Sequence, residues 1–208
     1  MKNIHERNLP GGEENNPLEL FAHTKFFEFL FSYIRPECFL ELGIRTGSNF
    51  KALSKYCERA IGVDILPHDG VNILPHETKV EGNMEFYQMT TDDYFDQLHE
   101  DIMFDAVFID ADHSHEQSLK DFMNVKDRVI EDGFIFFHDT YPCDPKWLDA
   151  SICSDVYKTA LYIKRHLIDE FEIVTLPIMP GVSIVKKINR HKQLIYLGDI
   201  QSCQEKYW

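Results

Sequence analysis

Short apolar runs that end abruptly at an acid recur along this chain, and stretches of helical spacing lie between them. Phe39, Leu40 and Leu42 lead into Gly43, Arg59 to Ile65 closes at Asp64, and Asp105 to Asp110 is apolar until its last residue. Phe134 to Phe137 is capped by His138, Asp139 and Thr140. Runs this short and this continuous suit strands buried on both faces of a parallel sheet. Met84 to Met89 alternates as a further strand. Helices are predicted over Leu18 to Ile34, ended by Arg35-Pro36, and over Phe50 to Cys57, capped by Ser48-Asn49. Three more follow: Tyr94 to Glu100 behind Thr90-Thr91-Asp92-Asp93, His115 to Val129, and Asp155 to Phe171. Leu66 to Gly82 reads as loop with at most one weak helix, and Asp132-Gly133 as a turn. Glu172 to Leu176 and Val182 to Val185, separated by Pro177 and Pro180-Gly181, predict an antiparallel pair.

The pattern predicts one α/β domain over residues 18–188, an irregular arm over 1–17 and a charged tail over 189–208. A chain of 208 residues buries roughly 70% of its unfolded surface in such a domain. The five cysteines are odd in number and lack a C-x-x-C spacing, so they read as packing thiols of a reducing, cytoplasmic compartment. No run reaches the ~18 apolar residues of a membrane span. With 35 acids against 21 lysines and arginines the net charge is −14, which argues against nucleic acid and anionic membranes as partners. The Phe-rich Phe21 to Phe31 stretch and the tail offer surface for a homo-oligomer.

In an open parallel sheet, ligands bind at the carboxyl ends of the strands, where Glu41, Asp64, Asp110 and Asp139 all fall. Gly43 and Gly47 permit a tight bend after the first strand. Asp64, about 20 residues beyond that bend, sits where an acid accepts from ribose hydroxyls, with a loop cap as the structural alternative. Arg45 stands two residues after Gly43, so the G-x-G-x-x-G phosphate fingerprint is absent, which disfavours an NAD-dependent oxidoreductase. A ligand with a ribose and a charged amino-acid end fits better, Glu41 then holding its amine. No His/Cys spacing indicates zinc. His68, His76 and His115 read as solvated surface.

The segment Glu41-Leu-Gly-Ile-Arg-Thr-Gly-Ser48 resembles the first motif of the class I S-adenosylmethionine-dependent methyltransferases, in the form also seen in catechol O-methyltransferase. Ile109-Asp-Ala-Asp-His-Ser-His-Glu116 together with Phe137-His-Asp-Thr140 is similar to a branch of that family linked to small-molecule and sugar O-methylation. The resemblance implies a Rossmann-like, doubly wound sheet of order 3-2-1-4-5-7-6 with the seventh strand antiparallel. It implies S-adenosylmethionine along Glu41, Gly43 and Gly47, its ribose on Asp64, its adenine near Thr91 and Asp92, and Asp110 on the cofactor side. Asp110 and Asp139 match positions that ligate a divalent ion in metal-dependent members, and Mg²⁺ suits two carboxylates. Thr140 stands where those members carry an Asn ligand. The alternative is that Asp110 bonds the cofactor side or caps the next helix while Asp139 bonds backbone N–H groups in the loop.

Methyl transfer from a sulfonium requires alignment of donor and acceptor and removal of one proton. His113, just beyond the fourth strand, is the first candidate for the base, and His138, at the end of the fifth, is the second. A structural role is the alternative for each. The expected reaction is methylation of a hydroxyl on a small molecule. A binding module without catalysis is the remaining alternative.

Overall fold

The computed structural model describes residues 22–66, 78–98, 101–150, 152–178 and 180–188. The expected arm and tail lie outside these residues. Helices run over Ala22–Ile34 (α1), Ser48–Ser54 (α2), Thr91–Gln97 (α3), His115–Val125 (α4) and Tyr157–His166 (α5). Strands run over Cys38–Leu42 (β1), Arg59–Asp64 (β2), Thr78–Glu81 (β3), Met84–Gln88 (β4), Phe104–Ile109 (β5), Val129–His138 (β6), Phe171–Leu176 (β7) and Val182–Lys187 (β8).

The sheet order is β3-β4-β2-β1-β5-β6-β8-β7. This is the expected 3-2-1-4-5-7-6 arrangement with one strand, β3, added at the edge. β1 pairs parallel with β2 and β5, β2 with β4, and β5 with β6, while β8 runs antiparallel to β6 and β7. β3 falls where a loop was expected. It pairs antiparallel with β4 across Gly82-Asn83, and Gly82 takes φ 64°. The turn expected at Asp132-Gly133 lies inside β6, with Asp132 at φ 65° and a register break between Phe104 and Ala106 on β5.

Alternation along the strands builds two cores. Leu40, Leu42, Ile61, Val63, Val107, Ile109, Ile135 and Phe137 face Tyr94, Phe122, Val125 and Ile163 of α3, α4 and α5. Phe39, Phe86, Phe108 and Phe136 face Phe27 and Phe31 of α1 and Phe50 of α2. The Phe27 ring meets Phe108 and Phe136 edge-on at 5.0 and 4.9 Å, a favoured aromatic geometry. Phe29 and Tyr33, on the outer side of α1, remain exposed. Among the described residues no helix is long and apolar enough to cross a membrane.

Candidate active site at the carboxyl ends of the strands

The glycine bend is fixed by backbone. Gly43 N–H donates to Val63 O at 2.8 Å, and Asp110 N–H donates to Leu42 O at 2.8 Å, which draws the ends of β1, β2 and β5 together. Gly43 has φ 83°, and a Cβ there would stand 2.2 Å from the Asp110 carbonyl oxygen, so only glycine fits. Gly47, at φ 72°, opens α2 without a side-chain cap. The capping expected of Ser48-Asn49 is replaced. Asn49 Nδ2 turns back to donate to Glu41 Oε1 at 3.1 Å, and Ser48 Oγ pairs with Thr46 Oγ1 at 3.1 Å.

Glu41 is 2% exposed, and its Oε2 has no hydrogen-bond partner. Burial, reinforced by the neighbouring Asp110 and Asp64 charges, pushes its pKa well above the carboxylate range. The result is a protonated or charge-seeking acid under the bend. Asp64 accepts from Arg45 N–H at 2.6 Å through Oδ2 and from Leu66 N–H at 2.8 Å through Oδ1. Its carboxylate therefore caps the loop while each oxygen keeps a second lone pair for another donor.

Thr91 and Asp92 open α3 behind a Thr90 cap on Asp93 N–H. They are joined to α4 by Gln117, whose Nε2 lies 3.0 Å from Thr91 Oγ1, 3.2 Å from Asp92 Oδ1 and 3.0 Å from Asp121 Oδ1. Lys120 donates to Asp92 at 2.6 Å, and that hydrogen bond holds the Asp92 pKa below its ordinary value. Gln117 was not expected as a site residue. Its position one helical turn into α4 carried no signal of its partner on α3.

A second cluster forms at the ends of β5 and β6. Ligand atoms of Asp110, His113 and Asp139 all lie within 4.8 Å of one another. His113 Nε2 is 3.1 Å from Asp139 Oδ2 and 3.7 Å from Asp110 Oδ1. Its Nδ1 faces the carbonyl oxygen of Ile152, an acceptor, so Nδ1 carries a proton. Nε2 then faces the two carboxylates, nearest to Asp139 Oδ2. Both ring nitrogens of His113, the first candidate for the base, are thus engaged by neighbouring groups.

His138, the second candidate for the base, is held by the same two carboxylates. Its Nδ1 lies 3.3 Å from Asp110 Oδ1 and 3.4 Å from Asp139 Oδ1. Burial opposes its charge, but the two carboxylates outweigh burial and raise its pKa to about 10. A charged ring carries no lone pair for a proton. His23 of α1, unflagged by any sequence pattern, packs against His138 with ring centroids 4.4 Å apart and planes tilted by 52°, and burial followed by the His138 charge lowers its pKa to about 4. Asp139 is 5% exposed and sits at φ 59°; burial works against its ionisation, yet His138 and then His113 keep its pKa below the ordinary value.

Thr140, expected as a third ligand, finds no support in the geometry. Its Oγ1 accepts from Ser183 Oγ at 2.9 Å on β8, and its N–H donates to Gly181 O at 3.4 Å. β8 draws the hydroxyl onto the sheet, and His113 supplies the third donor instead. His115 is likewise no surface group: its N–H donates to Asp155 at 2.7 Å and its Nδ1 pairs with Thr159 Oγ1 at 2.9 Å.

Beside the cluster lies an open cavity of about 400 Å³ lined by Ala111, Asp112, His113, Ser114, Ala150 and Ser154. Asp112, His113 and the two serines make its wall largely polar.

Residues 40–140 match the family model described as a methyltransferase domain. No curated protein matches the sequence. Among solved structures, a putative caffeoyl-CoA O-methyltransferase from Staphylococcus aureus superposes with a TM-score of 0.63 at 13% identity, covering 88% of this chain and 97% of that one. The O-methyltransferase from Bacillus cereus in complex with SAH gives 0.58 at 14% identity, over 88% and 86%. N-methyltransferase NodS from Bradyrhizobium japonicum gives 0.58 at 14%, over 85% and 100%. At these identities the likeness is one of fold.

Proposed function

We propose that this chain is a class I S-adenosylmethionine-dependent methyltransferase that methylates a hydroxyl group of a small molecule with the help of a divalent cation; the methyltransferase-domain match over residues 40–140 and the strand order support the family. The observation that carries this reading is the convergence of His113 Nε2 on Asp110 and Asp139, with Nδ1 turned away to a backbone carbonyl. Metal-bound imidazoles are oriented in this manner, by a carbonyl or carboxylate on the second nitrogen. The donor set fits a divalent cation. Two carboxylates suit Mg²⁺, and the imidazole nitrogen shifts the preference toward Mn²⁺. A bound cation would lower the pKa of an acceptor hydroxyl and hold its oxygen.

The rest of the work falls to the protein. Gly43 lets the donor lie against the backbone, Glu41 takes the amine of its methionine part, and Asp64 accepts from the ribose hydroxyls. Thr91 and Asp92, steadied by Gln117, flank the adenine. The polar cavity beside His113 receives the acceptor. The acceptor oxygen attacks the sulfonium methyl carbon, the carbon–sulfur bond breaks with its electron pair going to sulfur, and the hydroxyl proton leaves to water. Solved neighbours include both O- and N-methyltransferases. The carboxylate-rich cluster supports oxygen, because a cation there orients a hydroxyl whereas an amine needs none.

The test is release of S-adenosylhomocysteine over a panel of hydroxyl and amine acceptors, before and after EDTA and with Mn²⁺ or Mg²⁺ restored. Transfer to hydroxyls that EDTA abolishes and Mn²⁺ restores is expected. Transfer indifferent to EDTA sinks the cation, and transfer confined to amines sinks the O-methyl assignment.

A further inference from the structure

One short stretch of the loop between β6 and α5 holds two of the three ligand side chains from behind. The Ile152 carbonyl accepts the Nδ1 proton of His113, and the next residue, Cys153, places its thiol 3.5 Å from Asp139 Oδ1. Cys153 is fully buried. The stretch is itself well fixed. Ile152 and Ser154 N–H groups donate to Asp149 O at 3.0 and 3.1 Å, and Cys153 N–H donates to Trp147 O at 3.0 Å, with Trp147 buried beneath. Ser154 takes φ 47°, a left-handed turn that leads the chain into α5. Ala150 and Ser154 of the same stretch line the cavity opposite Ala111 to Ser114.

Resting on the cation reading above, we propose that Cys153 is a positioning residue for the Asp110–His113–Asp139 centre: its thiol proton holds Asp139 while the adjoining carbonyl aims His113, so cation uptake and the setting of the acceptor wall are one event. A carboxylate with two equivalent oxygens rotates freely unless one is claimed. The thiol shares Oδ1 with His138 Nδ1, which lies 3.4 Å from it, and the two together leave Oδ2 toward His113. A serine hydroxyl at this position donates as a thiol does, and more strongly. Valine fills the space and donates nothing.

The experiment is calorimetric titration of Mn²⁺ into the wild type, Cys153→Ser and Cys153→Val, with S-adenosylhomocysteine binding and thermal melts measured without metal as controls. The Val variant is expected to bind Mn²⁺ about 10–100-fold more weakly, the loss typical of an outer partner of a ligand. The Ser variant should stay within the order of magnitude of the wild type, and all three should bind S-adenosylhomocysteine alike. Hydrogen exchange adds a readout that mere packing would not move: amides of residues 152–155 should exchange more slowly once Mn²⁺ is added to the wild type. Wild-type Mn²⁺ affinity in the Val variant, a Ser variant as weak as Val, or exchange unchanged by Mn²⁺ overturns the inference. A wild type that takes up no Mn²⁺ overturns the metal centre itself, and is recognised by that result alone.

Discussion

The two halves of the rim hold their acids by opposite means. At the end of β2, Asp64 is clamped by the backbone N–H groups of Arg45 and Leu66. At the ends of β5 and β6, Asp110 and Asp139 face two imidazoles and a thiol. Backbone donors are fixed in number and charge, so the Asp64 half is shaped by the fold whether or not a ligand is bound. Imidazoles and thiols change state with what surrounds them. The Asp110–Asp139 half is accordingly the one whose charge answers to its surroundings.

The contrast is broken most completely where the halves meet. Gly43→Ala puts a Cβ into the Asp110 carbonyl at 2.2 Å, and the left-handed backbone alone costs about 1–3 kcal/mol, so the melting temperature should fall by at least about 5 °C. A variant that melts and binds S-adenosylhomocysteine like the wild type would show the bend to be looser than described. Asp139→Asn keeps the left-handed backbone, which Asn tolerates, but takes from the buried His138 charge one of its two carboxylates, so the melting temperature should fall. The same substitution should abolish Mn²⁺ uptake and slow methyl transfer on the order of 100-fold or more, the several kcal/mol a Lewis acid supplies.

Asp64→Ala should do the reverse, weakening S-adenosylhomocysteine binding and lowering stability by about 1–3 kcal/mol through the two freed N–H groups, with Mn²⁺ affinity retained. If instead it spares stability, the backbone clamp is not what fixes the Asp64 half. The smallest effect concerns Asp121, which burial raises from 3.8 to about 6. The folded chain holds that proton more tightly than the unfolded one, so this group's contribution is most favourable below pH 4 and is lost as pH rises through 6. Asp121→Asn should therefore gain stability relative to the wild type between pH 4 and pH 8, by roughly 1–3 kcal/mol in denaturant titrations, without moving S-adenosylhomocysteine affinity.

Sheet order was legible because buried parallel strands announce themselves as apolar runs, and the acids were legible because they end those runs. β3 was hidden by its polar composition, Thr78-Lys-Val-Glu81, although Gly82-Asn83 between it and β4 is a two-residue hairpin signal. Asp132-Gly133 has the composition of a turn but serves as an irregularity inside β6, a choice made by pairing with β5. At the site, His113 and Asp139 stood out by their distance from strand ends, and Asp139 as a candidate ion ligand, but the neighbours that orient them did not. Which nitrogen of His113 faces the acids is decided by Ile152, 39 residues away. Cys153 read as a packing thiol and His23 as nothing in particular, because contacts across α1 and the β6–α5 loop leave no periodicity in the sequence.

The carbonyl of Asp110 touches the space that a side chain at Gly43 would fill. The ends of β1 and β5 thus meet main chain to main chain, so no side chain can be inserted between them without driving one strand end away from the other.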